Sequence, residues 1–282
     1  MKGMNRINRP MNPIVRPGPL NSLAAGRRFF GAGPLWAWVG AAILFGLNVA
    51  RATFHVWAVT ELYSNADGSV QFVKLTNNSA FTTEYFLGNH VITCIGPSGV
   101  SNTFTFPTNL PAVSTLNKTF IIGTTNLASV PGGLTPDYVF TNQGPFLFPN
   151  MGVTNTVGII GSIETPAAYA NLPTDGVSSL MGLGSSLVVA TNSPKNFNDQ
   201  TNSIVPVKFD ASRLAGTDFV MTFRTSTGVN GSAGPIYTIE YKNFLTDPSW
   251  APLTTAPGDG RTHSVSNAAG SAAQRFFRLN VP

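Results

Sequence analysis

Cysteine is almost missing from this chain. Cys94 stands alone among 282 residues, so no intrachain disulfide can brace the fold. It lies in the apolar run His90–Ile95 and reads as a small buried hydrophobe. Charge is also scarce: Asp, Glu, Lys and Arg make up 10% of the residues, against about 25% in an ordinary domain. Thr, Asn, Ser and Gly supply the polar surface instead, and no acid occurs before Glu61. Helical periodicity is nearly absent, its best stretch being a short piece at Pro166–Leu172. The chain has no G-x-S-x-G elbow, no G-x-x-x-x-G-K-[ST] loop, no dinucleotide fingerprint and no D-x-[DN]-x-[DN]-G calcium loop. The familiar signatures of serine hydrolases, nucleotide binders and EF-hand calcium sites are thus missing.

What the N-terminus does contain is a basic segment followed by Pro34–Ala50, an apolar run ending in Ala50-Arg51-Ala52. This is the layout of a secretory signal: basic region, apolar region, A-x-A cleavage site. The run is shorter than the roughly 20 residues that span a bilayer. The expectation is a signal peptide over 1–52 and a secreted or cell-surface product, with membrane contact only through an uncleaved leader. Seven of the 17 basic residues precede Thr53, leaving ten against twelve acids, a formal charge of −2. The whole-chain charge of +5 therefore belongs to the leader, and no nucleic-acid partner is expected.

The remaining 230 residues read as strands separated by turns. Thr53–Leu62 alternates, placing Trp57, Val59 and Glu61 on one face, and Asp67-Gly68 supplies turn chemistry before Val70–Thr76. In that second strand Phe72 faces one way and Val73 and Leu75 the other. Further strands are expected at His90–Ile95, Asn102–Phe106, Thr119–Gly123, Tyr138–Phe140 and Thr156–Ile160. Spacings of about ten residues with turns between them are those of a sandwich or barrel. From Thr191 to Pro206 the sequence loosens into a linker or long loop. Strands return at Asp218–Thr225, Ile236–Lys242, Thr262–Ser266 and Arg275–Val281, with Phe277, Leu279 and Val281 facing in and Trp250 as a core plug.

Two stretches resemble known families. Trp57–Asn78 with Phe104–Gly123 resembles the lamin-tail domain, matching at Glu61, Phe72, Val73, Leu75, Asn77 and the pair Phe106-Pro107. Lys74 stands where that family has an acidic residue. Tyr237–Leu279 is similar to C-terminal modules of secreted and surface proteins of planctomycete- and verrucomicrobium-type bacteria, matching at Tyr237, Glu240, Tyr241, Trp250 and Arg275–Arg278. The resemblances imply an immunoglobulin-like β-sandwich over 53–190 and, after the linker 191–206, a smaller β-sandwich-like module over 207–282. They also imply non-enzymatic extracellular modules with no catalytic constellation.

Three histidines, His55, His90 and His263, lie far apart in sequence, and only His90 and Cys94 are spaced to share a strand face. No metal or other cofactor is expected. The oxygen-rich stretches Asn65–Gly68 and Asn198–Gln200 read as turns. The candidate ligand-contact aromatics are Trp57, Phe146 and Phe148. The sequence thus points to an interaction protein binding an extracellular protein or polysaccharide, with a carbohydrate-binding module as the alternative and a hydrolase behind it.

Overall fold

The computed structural model describes residues 56–78, 80–141, 144–149, 155–159, 166–268 and 274–282. The leader expected over 1–52 and His55 lie outside them. The chain is all-β, of immunoglobulin-like sandwich character, and the described part holds sixteen strands in four sheets. Residues 52–282 group as one compact unit.

The first sandwich opposes a six-stranded and a four-stranded sheet. The larger contains β1 (Trp57–Ser64), β2 (Gln71–Asn77), β5 (Thr119–Gly123), β6 (Tyr138–Val139), β9 (Ser178–Met181) and β10 (Val188–Thr191), in the order β10-β9-β1-β2-β5-β6. The smaller has the order β4-β3-β7-β8, from β3 (Val91–Ile95), β4 (Ser101–Thr105), β7 (Asn155–Ile159) and β8 (Ala167–Tyr169). The 166–172 stretch thus forms a strand and not a helix, because Ala167–Tyr169 completes the smaller sheet beside β7. Trp57, Val59, Leu62, Val73, Leu75, Phe120 and Ile122 meet Ile92, Cys94, Phe104 and Val157 in the main core.

β1 and β2 pair antiparallel, but their register slips between Val59 and Glu61. Thr60 is therefore the extra residue of a β-bulge, and it reverses the face of every residue after it. Trp57, Val59 and Leu62 point inward, while Glu61 and Tyr63 point outward. The alternation expected to put Glu61 beside Trp57 and Val59 fails at this bulge. Phe72 does separate as expected from Val73 and Leu75, onto the outer and inner faces.

Over its central strands the outer face of the six-stranded sheet is not left to solvent. Tyr63, Val70, Phe72 and Ile121 are roofed by Leu127, Leu134 and Ile204. The loops that carry the roof interlock at Gly132, whose φ of +79° places a would-be Cβ against the Ser203 backbone, so only glycine fits. The stretch 191–206 is accordingly packed chain, with Phe197 in the main core and Ile204 in the roof.

The second sandwich opposes two three-stranded sheets. One has the order β11-β12-β15, from β11 (Ala211–Ala215), β12 (Asp218–Arg224) and β15 (Thr262–Ala268). The other has the order β14-β13-β16, from β13 (Gly234–Lys242), β14 (Ala251–Gly258) and β16 (Phe276–Asn280). Met221, Phe223, Tyr237, Ile239 and Ala256 form its buried core, with Phe219, Phe277, Leu279 and Val281 packed against it. Phe277 stacks on Phe219 at 5.4 Å. Trp250 stays out of this core. It lies under Arg278 at 4.6 Å and Lys242 at 5.3 Å, because β14 begins only after it and leaves the ring on the outside.

Candidate functional site

Two of the three aromatics singled out from the sequence are core residues. Trp57 is fully buried, its ring edge-on to Phe120 at 4.7 Å, and its indole N–H donates to the Glu84 carbonyl at 2.7 Å. Phe146 is 1% exposed and stacks on Phe140 at 4.3 Å. Both are unavailable as surface contacts. β1 is an interior strand of the larger sheet, and Gln71 draws the loop that carries Phe146 inward. The Gln71 carbonyl oxygen of the side chain accepts from the Phe146 and Leu147 amides at 2.7 and 2.9 Å, and its amide donates to the Leu147 carbonyl at 3.1 Å. Phe148 is half-buried against the same core.

Among the described residues, His90, His263 and Cys94 do not gather with other ligating side chains as a site. Cys94 is buried, with its sulfur 3.7 Å from the Tyr169 hydroxyl, and burial pushes its thiol pKa up. It is therefore no thiolate poised for nucleophilic attack. His263 sits 2.9 Å from Asp259 and holds that carboxyl down at about 2. Among the described residues no three His, Cys, Asp or Glu side chains gather as a metal site. The Asn65–Gly68 stretch is a turn, in which Asp67 accepts from the Ser69 amide at 3.0 Å and hydroxyl at 2.7 Å. Asp199 is taken up by Lys118 and Lys195.

The buried and half-buried ionisable groups of the first sandwich act as fasteners. Glu61 is fully buried on the outer face and ion-pairs with its cross-strand neighbour Lys74. Its carboxylate also accepts from the Ser179 hydroxyl at 2.8 Å and the Ser193 amide at 2.7 Å. Lys74 donates to the Ser193 carbonyl at 2.8 Å. The pair thus grips the start of the 193–204 stretch from both sides. Asp137 accepts from the Ile121 amide at 2.9 Å and the Phe197 amide at 3.0 Å. Burial raises its pKa to about 6 despite these bonds. Asn192 completes the fastening, bonding both the Ile204 amide and carbonyl.

The surface offers two other features. A polar cleft of about 480 Å³ opens at the β1–β2 turn, lined by Asp67, Ser69, Thr124, Thr125 and Asn126 over Phe140 and Pro145. Its hydroxyl and amide groups suit a neutral, hydrogen-bonding ligand. On two adjoining loops, joined by Thr115 N–H to the Thr82 carbonyl and Leu110 N–H to the Tyr85 carbonyl, four large apolar side chains stand in solvent. They are Phe81 (61% exposed), Phe86 (47%), Val113 (52%) and Leu116 (45%). Sequence reasoning singles out none of these four. Each sits in a stretch that reads as loop, and loop residues give no periodicity from which exposure can be inferred. In comparisons with known proteins, no family model, no curated protein and no solved structure matches the chain.

Proposed function

We propose that the mature chain is a secreted or cell-surface, non-enzymatic interaction protein that binds an extracellular protein or polymer through its first β-sandwich. One observation carries this reading: the exposed apolar group Phe81, Phe86, Val113 and Leu116 on paired loops at the sandwich surface. Large apolar side chains grouped in solvent mark contact surfaces. The lamin-tail resemblance of the strands around Glu61 and Phe72 and the apolar leader agree with the same reading, the leader supplying export.

The test is adherence of the full chain to immobilised extracellular polymers (peptidoglycan, cellulose, chitin, collagen) and to cell-surface protein fractions. Adherence to at least one is expected. Phe81→Asp with Leu116→Asp should weaken it roughly tenfold or more at unchanged melting temperature. Absence of adherence, or turnover of a substrate in a hydrolase panel, overturns the reading. The polar cleft over Phe140 favours a second reading, a carbohydrate-binding module. A glycan array on which Asp67→Ala abolishes a signal would select it.

A further inference from the structure

Edge strands expose unpaired N–H and C=O groups, and proteins blunt them with charge, proline, short length or a covering loop. Nearly every other edge in this molecule carries such a device. β6 and β8 are two and three residues long, and β14 contains Pro252 and Pro257. β11 and β16 carry Arg213 and Arg278. β4 is tied down by Asn102, which donates to the Pro145 and Phe146 carbonyls. β15 presents His263 and serines.

β10 has neither charge, proline nor a covering loop, and only its four-residue length limits it. It ends the six-stranded sheet with only β9 beside it among the described residues. No charged residue and no proline occurs between Asp175 and Pro194. Val188 and Val189 are neighbours, so they project to opposite faces, yet each is 63% exposed. Both faces of the edge are therefore open at Val188 and Val189. Along it, every second residue turns both backbone groups away from β9.

We propose that β10 is an acceptor edge, to which a partner protein adds an extended, uncharged, β-branched segment as a further strand. This rests on the interaction-protein reading and names the partner's chemistry. The outward backbone groups require an extended main chain, and the exposed valines require apolar side chains opposite them. The length of the edge decides between a partner segment and a second copy. Four residues, Val188–Thr191, bury far less than the roughly 800 Å² per partner of a stable dimer. A single added strand draws its affinity from main-chain hydrogen bonds and needs no such area.

The test uses the full chain and an acetylated, amidated peptide of residues 186–191 as the probe strand, read by fluorescence titration and by amide exchange at 187–191. Saturable binding with slowed exchange at those amides is expected. Val188→Lys with Val189→Lys should weaken it roughly tenfold or more at unchanged melting temperature. If that variant fails to fold, a peptide N-methylated at alternate residues decides the matter on the unaltered protein, because it cannot complete the ladder. Binding that ignores N-methylation, or no binding, overturns the proposal. Concentration-dependent dimerisation abolished by the lysine variant also overturns it, in favour of a second copy. Polymer adherence unchanged in the lysine variant, with peptide binding absent, would end the edge proposal and leave the interaction-protein reading standing.

Discussion

In the first sandwich the central strands β1, β2 and β5 of the six-stranded sheet are covered on both faces, by the opposing sheet on one side and by Leu127, Leu134 and Ile204 on the other. In the second, two three-stranded sheets share one core with five buried hydrophobes, and the outer faces carry Arg213, Glu240, Lys242 and Arg278. The two tryptophans register this difference. Trp57 sits within a doubly covered sheet, so its ring is enclosed and its N–H must find a carbonyl. Trp250 belongs to a thin sandwich with little interior volume, and its ring rests outside under two cations. Thick packing creates a need for polar fasteners such as the buried Glu61 and the half-buried Asp137. Thin packing places its electrostatics on the surface.

Substitutions can break this contrast, and the largest effect is expected at Trp57. Trp57→Ala should cost about 4 kcal/mol in denaturant unfolding, through lost burial and the cavity left behind. Glu61→Ala should rank next at about 3 kcal/mol, since it strands Lys74 beside a closed interior. Adding Lys74→Met to it should recover most of that loss, because an apolar side chain of similar length needs no partner.

Asp137 makes the difference a matter of pH. Its pKa rises from the ordinary 3.8 to about 6 on folding, so the folded state holds the proton more tightly than the unfolded one. The stabilisation is fully present below about pH 4 and is lost as pH rises through about 6, by on the order of 3 kcal/mol. Stability curves over that range should flatten in Asp137→Asn, which keeps an acceptor for the Ile121 and Phe197 amides. The smallest effect is expected at Trp250. Trp250→Ala should cost about 1 kcal/mol, the scale of partly exposed cation–π contacts, and the loss should show in the transition of the second sandwich. A Trp250 effect as large as that of Trp57 would erase the contrast.

The sequence carries the strands better than it carries their surroundings. β2 is legible because both faces are buried and Phe72, Val73 and Leu75 are all apolar. β13 and β16 are legible because they alternate without interruption. Phase is lost at Thr60, where a bulge leaves no mark that composition can reveal. β11 and β14 escape notice for a different reason: Ser212, Arg213, Pro252 and Pro257 belong to exposed edges and carry no apolar rhythm. The 191–206 stretch reads as a linker because its Asn, Ser and Pro residues resemble loop composition. Its packing depends on partners more than fifty residues away, Glu61, Lys74 and Asp137, which no local pattern connects to Ser193 or Phe197. The candidate site obeys the same rule. Trp57 and Phe146 draw attention as aromatics, whereas exposure belongs to Phe81, Phe86, Val188 and Val189, a property set by topology.

The Glu61–Lys74 pair, Asp137 and Asn192 fasten 192–205 to the first sandwich. Amide hydrogen exchange on the full chain at neutral pH tests this fastening most directly. The amides of Ser193, Phe197 and Ile204, which donate to Glu61, Asp137 and Asn192, should exchange as slowly as those of β1, and Glu61→Ala should release Ser193 first. Exchange of 192–205 at free-chain rates, with β1 protected, would contradict the account and restore that stretch to the status of a linker.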